Sequence, residues 1–286
     1  MNLVLYLSPA VIFLIMLGVG MNVNFKNFIE VLKDLKVLFI GLLSQMVILP
    51  IIGLLFAFFA PVDSVLKLGI ILITCVPSAV TSNYITKLAG GNVALSVSLT
   101  AITACLSFVS IPFILKIVTP IVIDEATVFQ ELNFAKMSLG LLLITTVPVL
   151  LGIFVRTKFS IFVEKINKFY SIFSIILFVT IIFAAWFSEW DSIIDLYKSI
   201  GLLALSLAII VLITSYILVN YLGLNEANKK TIIIESFIQN AAMAIIVGGV
   251  TFGVESGYMA MAALYALLQY KILLFLWATN KFFKKI

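Results

Sequence analysis

Nine stretches of about 20 residues, almost free of charge, follow one another along this chain of 286 residues. They run over 3–22, 37–60, 68–89, 92–116, 137–155, 169–188, 199–222, 231–252 and 257–280. Each is long enough to cross a ~30 Å hydrocarbon layer as a helix. The stretches between them are too short to hold a second, soluble unit. Composition closes the alternative. Only 11% of the residues are charged and 63% are hydrophobic, with mean hydropathy +1.26. Soluble domains carry about 25% charged residues. A soluble fold could not cover its surface with this alphabet. The expected fold class is an all-α polytopic membrane protein of nine transmembrane helices, a single transmembrane domain over 1–286.

The basic residues set an orientation. With the N-terminus outside, the inner loops and C-terminus hold Lys26, Lys33, Lys36, Lys87, Arg156, Lys158, Lys165, Lys168, Lys229, Lys230, Lys281, Lys284 and Lys285. That is 13 of the 18 basic residues. Lys67, Lys116, Lys136 and Lys198 fall outside, and Lys271 lies within a span. The outer loops collect Asp63, Asp124, Glu125, Glu131, Glu189, Asp191, Asp195 and Glu255. This is the positive-inside pattern, and it implies N-out, C-in. The N-terminus lacks the basic region and small-residue cleavage site of a signal peptide, so it reads as the start of a retained span. The expected location is the cell (inner) membrane, multi-pass.

Other function classes fall away. The net charge of +5 is scattered at span ends, without a basic domain, so nucleic acid is not implied. There is no histidine, which removes histidine metal sites, imidazole relays and Ser-His-Asp catalysis. Cys75 and Cys105 lie in apolar stretches and read as free buried thiols. No nucleophile elbow or paired aspartates suggest a membrane-embedded enzyme. A channel has no motif behind it.

Two spans carry signs of a break. Pro77 stands in the third, followed by Ser78-Ala79-Val80-Thr81-Ser82-Asn83. Proline removes a backbone donor and clashes with the preceding turn. The freed carbonyls must find partners inside the protein, because lipid offers none. The eighth span has Glu235-Ser236 and Gln239-Asn240. Both polar runs lead into glycine pairs, Gly90-Gly91 and Gly248-Gly249. The two spans are five apart and cross the membrane in opposite directions, as an inverted repeat requires. The first four spans then pair with the last four, leaving the fifth alone. Gly249 and Gly253 also make a GxxxG, read as close helix packing.

Half-helix ends at membrane depth make ion sites. Carbonyl ends and side-chain oxygens suit sodium, and positive N-terminal ends suit an anion. The candidate oxygens are Gln45, Ser82, Asn83, Ser96, Thr100, Glu235 and Gln239. Ser96 and Thr100 are one turn apart, as are Glu235 and Gln239, so each pair shares a helix face. Ser96 and Thr100 could instead bond their own backbone. Glu235 could instead pair with Lys230, five residues or roughly 7 Å away along a helix. Lys271 lies ten residues, roughly 15 Å, from Lys281. At that depth its ammonium is expected to face a central cavity, as a substrate contact or in place of a cation. The alternative is a lysine reaching an inner crevice without a specific role.

The runs Thr81-Ser82-Asn83-Tyr84 through Gly91-Asn92-Val93-Ala94-Leu95-Ser96-Val97-Ser98-Leu99-Thr100, and Glu235-Ser236-Phe237-Ile238-Gln239-Asn240, resemble the bile acid:sodium symporter family. The resemblance covers essentially the whole chain. It implies one sodium site of Ser82, Asn83, Ser96, Thr100 and Glu235. It implies a second of Gln45, Gln239 and Glu235, with the carbonyls of Ser236 and Ile238. Asn83 and Asn240, with Thr81, would meet substrate where the broken helices cross. It implies a panel part (1–35 and 136–190) and a core part (37–120 and 199–286), in the nine-helix form of the family. Two departures bear on the pocket. Val76-Pro77-Ser78-Ala79-Val80-Thr81 replaces the family's Cys-Pro-Gly-Gly-Thr, removing glycines that allow close backbone approach. Ala241-Ala242 replaces Ser-Gly.

The expected function is sodium-coupled symport of a small or amphipathic organic anion by alternating access. The alternative is a sodium-independent carrier or exporter of the same fold, with Lys271 replacing a coupling ion. Sodium ions, an organic anion and the lipid bilayer are the expected partners, and the sequence leaves the oligomeric state open.

Overall fold

A computed structural model describes residues 2–122, 133–188, 193–252 and 256–278. Its elements are α1 (Asn2–Asn22), α2 (Phe25–Lys33), α3 (Leu35–Phe59), α4 (Ser64–Cys75), α5 (Thr81–Leu88), α6 (Val93–Val122), α7 (Phe134–Lys158), α8 (Ser160–Ser188), α9 (Ile193–Tyr221), α10 (Glu226–Phe237), α11 (Ala241–Phe252) and α12 (Ser256–Ala278). Among the described residues, five helical stretches are long and apolar enough to cross a bilayer: α3, α6, α7, Tyr197–Tyr221 of α9 and Met259–Ala278 of α12. Asp124, Glu125, Glu131, Glu189, Asp191, Gly253, Glu255, Lys281, Lys284 and Lys285 lie outside the described residues, as do the last residues of the ninth expected span.

Several boundaries differ from the sequence reading. α6 continues six residues past 116, and α8 begins at Ser160 rather than 169. The start of α8, 160–168, is amphipathic and so extends the helix before the apolar run, whereas α6 runs on past Lys116 into the apolar 117–122. The expected loop after the first span contains α2, bent 73° from Pro9–Asn22. Asn24 caps it by accepting from Lys26 N at 3.0 Å. Val31 is buried while Phe25, Ile29 and Leu32 are exposed. An exposed apolar stripe on a short polar helix is what a membrane interface accommodates.

Both expected breaks are present. α4 ends at Cys75 and α5 begins at Thr81; α10 ends at Phe237 and α11 begins at Ala241. α4, α10 and α11 have 12 residues each and α5 has eight, so a 12-residue half rises about 18 Å. No half spans a bilayer alone. Asp63 and Asn225 cap the starts of α4 and α10, the ends away from the breaks, accepting from Leu66 N and Asn228 N at 2.8 Å. Gly90, at φ 68°, closes α5. Gly91 N donates to Thr86 O at 2.8 Å and Gly90 N to Lys87 O at 3.2 Å, the Schellman pattern that spends the orphan carbonyls of a helix end.

The two breaks pass each other as antiparallel extended backbone, with Ser78 opposite Gln239. Ala79 N donates to Ile238 O at 3.2 Å and Asn240 N to Pro77 O at 3.0 Å. The opposite edge of the 238–240 segment is filled by one side chain. Gln269 Oε1 accepts from Gln239 N at 2.9 Å, and Gln269 Nε2 donates to Gln239 O at 3.3 Å. A backbone far from water requires such complete pairing. Close approach is reached here with Ser78 and Ala79 in place of the family's glycines. Replacing Gln269 with Ala should leave two buried backbone groups unpaired, at about 1–3 kcal/mol each. The expected result is a melting temperature several degrees below wild type.

α1, α7 and α8 pack together. A Cβ on Gly20 would lie 2.1 Å from Val149 O, and one on Gly152 2.2 Å from Leu17 O. Two helix backbones therefore touch there. Tyr170 of α8 donates to Leu14 O of α1 at 2.6 Å.

Candidate sodium and substrate site

Glu235 is fully buried in the last turn of α10, just before the break. Four hydroxyls reach it from three other segments. Ser78, in the first break, donates to Oε2 at 2.5 Å, and Thr100 of α6 to the same oxygen at 2.9 Å. Ser82, in the first turn of α5, donates to Oε1 at 2.5 Å, and Ser96 of α6 also meets Oε1. Ser96 and Thr100 face Glu235 rather than their own helix. Gln45 of α3 donates from Nε2 to Oε2 at 3.4 Å. It stands in a π-helical turn, Ser44–Ile48, ahead of Pro50. Proline cannot donate to the carbonyl four residues back. The widened turn absorbs that loss and holds Ser44 and Gln45 toward α10. Ser44 Oγ lies 2.7 Å from Ser236 Oγ.

This cluster has too few protons. Ser96 Oγ also meets Asn83 Oδ1 at 2.7 Å, and Ser78 Oγ lies 2.9 Å from Thr100 Oγ1. With the four hydroxyl contacts to Glu235, that makes six close oxygen pairs. Each hydroxyl carries one proton, so Ser78, Ser82, Ser96 and Thr100 bring four. An ionised Glu235 adds none, and even an Asn83 amide turned so that its unpartnered Nδ2 donates to Ser96 brings only five, one short. Close oxygens without a shared proton repel, and a hard cation between them is the chemistry that reconciles them. Gln45 Oε1 and Asn83 Nδ2 are buried without partners in the same region. The donor set therefore fits a sodium ion, all oxygen and one net negative charge.

The structure brings Ser82, Asn83, Ser96, Thr100, Glu235 and Gln45 into one cluster. Gln239 and Ser236 lie beside it: Gln239 Nε2 donates to Ser236 O at 2.6 Å. Ile238 lends its carbonyl to Ala79 N. Asn240 Oδ1 accepts from Met243 N at 3.1 Å, capping α11, and Thr81 Oγ1 lies 2.6 Å from Tyr270 OH. Lys230 does not pair with Glu235. Its ammonium donates to Ala89 O at 2.9 Å, at the negative end of α5.

Lys271 does not face a central cavity. Gln269 holds one side of α12 against the crossing, and two residues of helix turn about 200°. Lys271 therefore points away, exposed in one stripe with Leu274 and Phe275, its Nζ 5.9 Å from the Tyr197 ring centre. Lys271→Met should leave sodium-dependent stabilisation of the purified protein unchanged. Ser78 and Gln269 escaped the sequence reading. Ser78 directly follows the break-making proline, and Gln269 is an amide inside an apolar span. Both signals were present but weaker than a charge.

A profile described as the sodium bile acid symporter family matches residues 9–196. The chain belongs to that family. Curated relatives are similarly distant. It is 26% identical to the P3 protein of Mus musculus over 244 residues, 85% of this chain and 51% of that protein. It is 26% identical to the uncharacterized sodium-dependent transporter YocS of Bacillus subtilis over 235 residues, 80% and 70% of the two chains. It is 29% identical to the ileal sodium/bile acid cotransporter of Oryctolagus cuniculus over 168 residues, 59% and 48%. The chain spans about half the length of most relatives it matches. The family is one of transporters, not enzymes, and the apolar helices agree with a membrane protein.

Proposed function

We propose that the chain is a sodium-coupled symporter of a small or amphipathic organic anion, working by alternating access in the cell membrane, N-out and C-in with nine spans. The observation that carries this reading is the proton-deficient oxygen cluster around Glu235 where two broken helix pairs cross. One sodium ion would take Ser82, Asn83, Ser96, Thr100 and Glu235, with Ser78 added. A second would take Gln45, Gln239 and Glu235 with the carbonyls of Ser236 and Ile238. The orphaned Oε1 of Gln45 supports the second position. The N-termini of α5 and α11 both start at the crossing, and positive helix ends there favour an anion beside Thr81 and Asn240. Asn83 links that end to the ion cluster through Ser96.

Binding sodium ties α3, α5, α6 and α10 to one carboxylate and so orders the crossing that receives the anion. Coupling follows from that shared geometry. α1, α7 and α8 form the panel against which the remaining helices rock. Two sodium ions with a monoanion carry one net positive charge, driven inward by about 2.3 kcal/mol per 100 mV. The test is uptake of a mixture of carboxylates and sulfonates into proteoliposomes, read by mass spectrometry, under an inward gradient of NaCl or KCl. Accumulation in sodium alone is the expected result. Uptake indifferent to the exchange of sodium for potassium would sink the reading.

A further inference from the structure

A small cavity lies between the crossing and the α1/α8 pair. Ala79, Val80, Thr81 and Asn240 line it on one side, and Ile15, Ser174 and Ile175 on the other. Its volume of ≈ 10 Å³ is the room of about one water. No charged side chain lines it. The crossing side offers the N-terminal ends of α5 and α11, with Thr81 and Asn240. The opposite wall is apolar apart from Ser174.

Ser174 is 3% exposed, and its hydroxyl has no hydrogen-bond partner. That is unusual for a serine within a helix, which normally returns its proton to a carbonyl one turn back. Thr180 of the same helix does so with Ile176 O at 2.8 Å, and Ser98 and Ser215 do so elsewhere. A buried hydroxyl left unpaired costs about 1–3 kcal/mol. The rest of the α1/α8 contact is fully engaged. Tyr170, one turn earlier on the same face, bonds Leu14 O, and Gly18 lies close against both Tyr170 and Ser174. An unspent donor at the only polar point of an otherwise apolar wall is the feature to explain.

We propose that Ser174 is the α8-side wall of the substrate path. Its hydroxyl hydrogen-bonds a second polar group of an organic anion whose charged end rests on the helix ends at the crossing. The proposal builds on the transport reading and narrows the substrate class. The substrate is a small anion with a hydroxyl, carbonyl or amide on the side away from its acidic group, and an apolar middle against Ile15, Val80 and Ile175. The cavity described is closed to such a molecule, so α1 and α8 must separate from the crossing to admit it.

The test places a cysteine at the wall. Ser174→Cys, Ile175→Cys and the lipid-facing control Ile176→Cys are treated with 2-sulfonatoethyl methanethiosulfonate, a small water-borne anion. Labelling is followed by mass spectrometry in NaCl and in KCl, with wild type giving the background of Cys75 and Cys105. A cooperative melting transition of each variant, recorded in both salts, confirms that it is folded and gives its sodium shift. Labelling at 174 at least tenfold faster than at 176 in one of the two salts is expected. Labelling at 174 no faster than at 176 in both salts would overturn the proposal. With the sodium shift retained, that outcome leaves the transport reading standing. Rapid labelling without any sodium shift in wild type would keep the wall and end the sodium reading. For any anion found to be taken up, Ser174→Ala should raise KM about tenfold with kcat nearly kept. An unchanged KM would remove the hydrogen bond from the proposal.

Discussion

Glu235→Gln should abolish the sodium response of this protein while leaving it folded. Wild type at a sodium concentration ten times its Kd is stabilised by about 1.4 kcal/mol through linkage, a rise of several degrees in melting temperature relative to KCl. The variant is expected to melt at one temperature in both salts and to show no sodium-driven uptake. The reason is local. Glutamine keeps the size of the side chain but replaces one oxygen by a donor. Two hydroxyls now aimed at each carboxylate oxygen would meet an NH₂ group on one side, and the only negative charge in the cluster disappears. A burial of 0% exposure leaves no water to take over either role. A sodium-dependent shift of wild-type size in Glu235→Gln would remove this carboxylate from the ion site.

Gly20→Val should be the most damaging single change outside the site. A Cβ there would sit 2.1 Å from Val149 O, and Gly152 faces it with the same lack of space. The obstacle is backbone on both sides, so no side-chain rotation relieves it. Separating α1 from α7 would also pull Leu14 O from Tyr170 and disturb the wall carrying Ser174. Overpacking typically costs 1–3 kcal/mol and here should exceed about 3. The expected result is loss of the monodisperse peak in detergent size-exclusion chromatography. A normal peak with an unchanged melting temperature would show that the contact is looser than described.

Much of this was readable in the residues. Apolar runs and the scarcity of charge made the chain a bundle of membrane helices, because lipid leaves the backbone few other ways to pair. Pro77 and the Glu235-to-Asn240 run marked both breaks, since each interrupts an apolar period with groups that need partners. Ser96 and Thr100 of the first proposed sodium site stood at helical spacing, so their shared face followed from the period alone. Lys271 went the other way. Its depth was legible, but its direction depended on which face of α12 Gln269 held at the crossing.

The sequence by itself determined the all-helical membrane class, the positions of the breaks and the carboxylate around which a site could form. These follow from local rules of hydropathy, proline geometry and period. Tertiary structure decided which hydroxyls reach Glu235, that Ser78 joins them, that Gln269 completes the crossing, and that Ser174 is left without a partner. Those facts depend on contacts between segments up to 192 residues apart, such as Ser44 with Ser236. No local period encodes which of several polar residues will face one another, because that is settled only when the helices pack and each buried group competes for the few partners within reach.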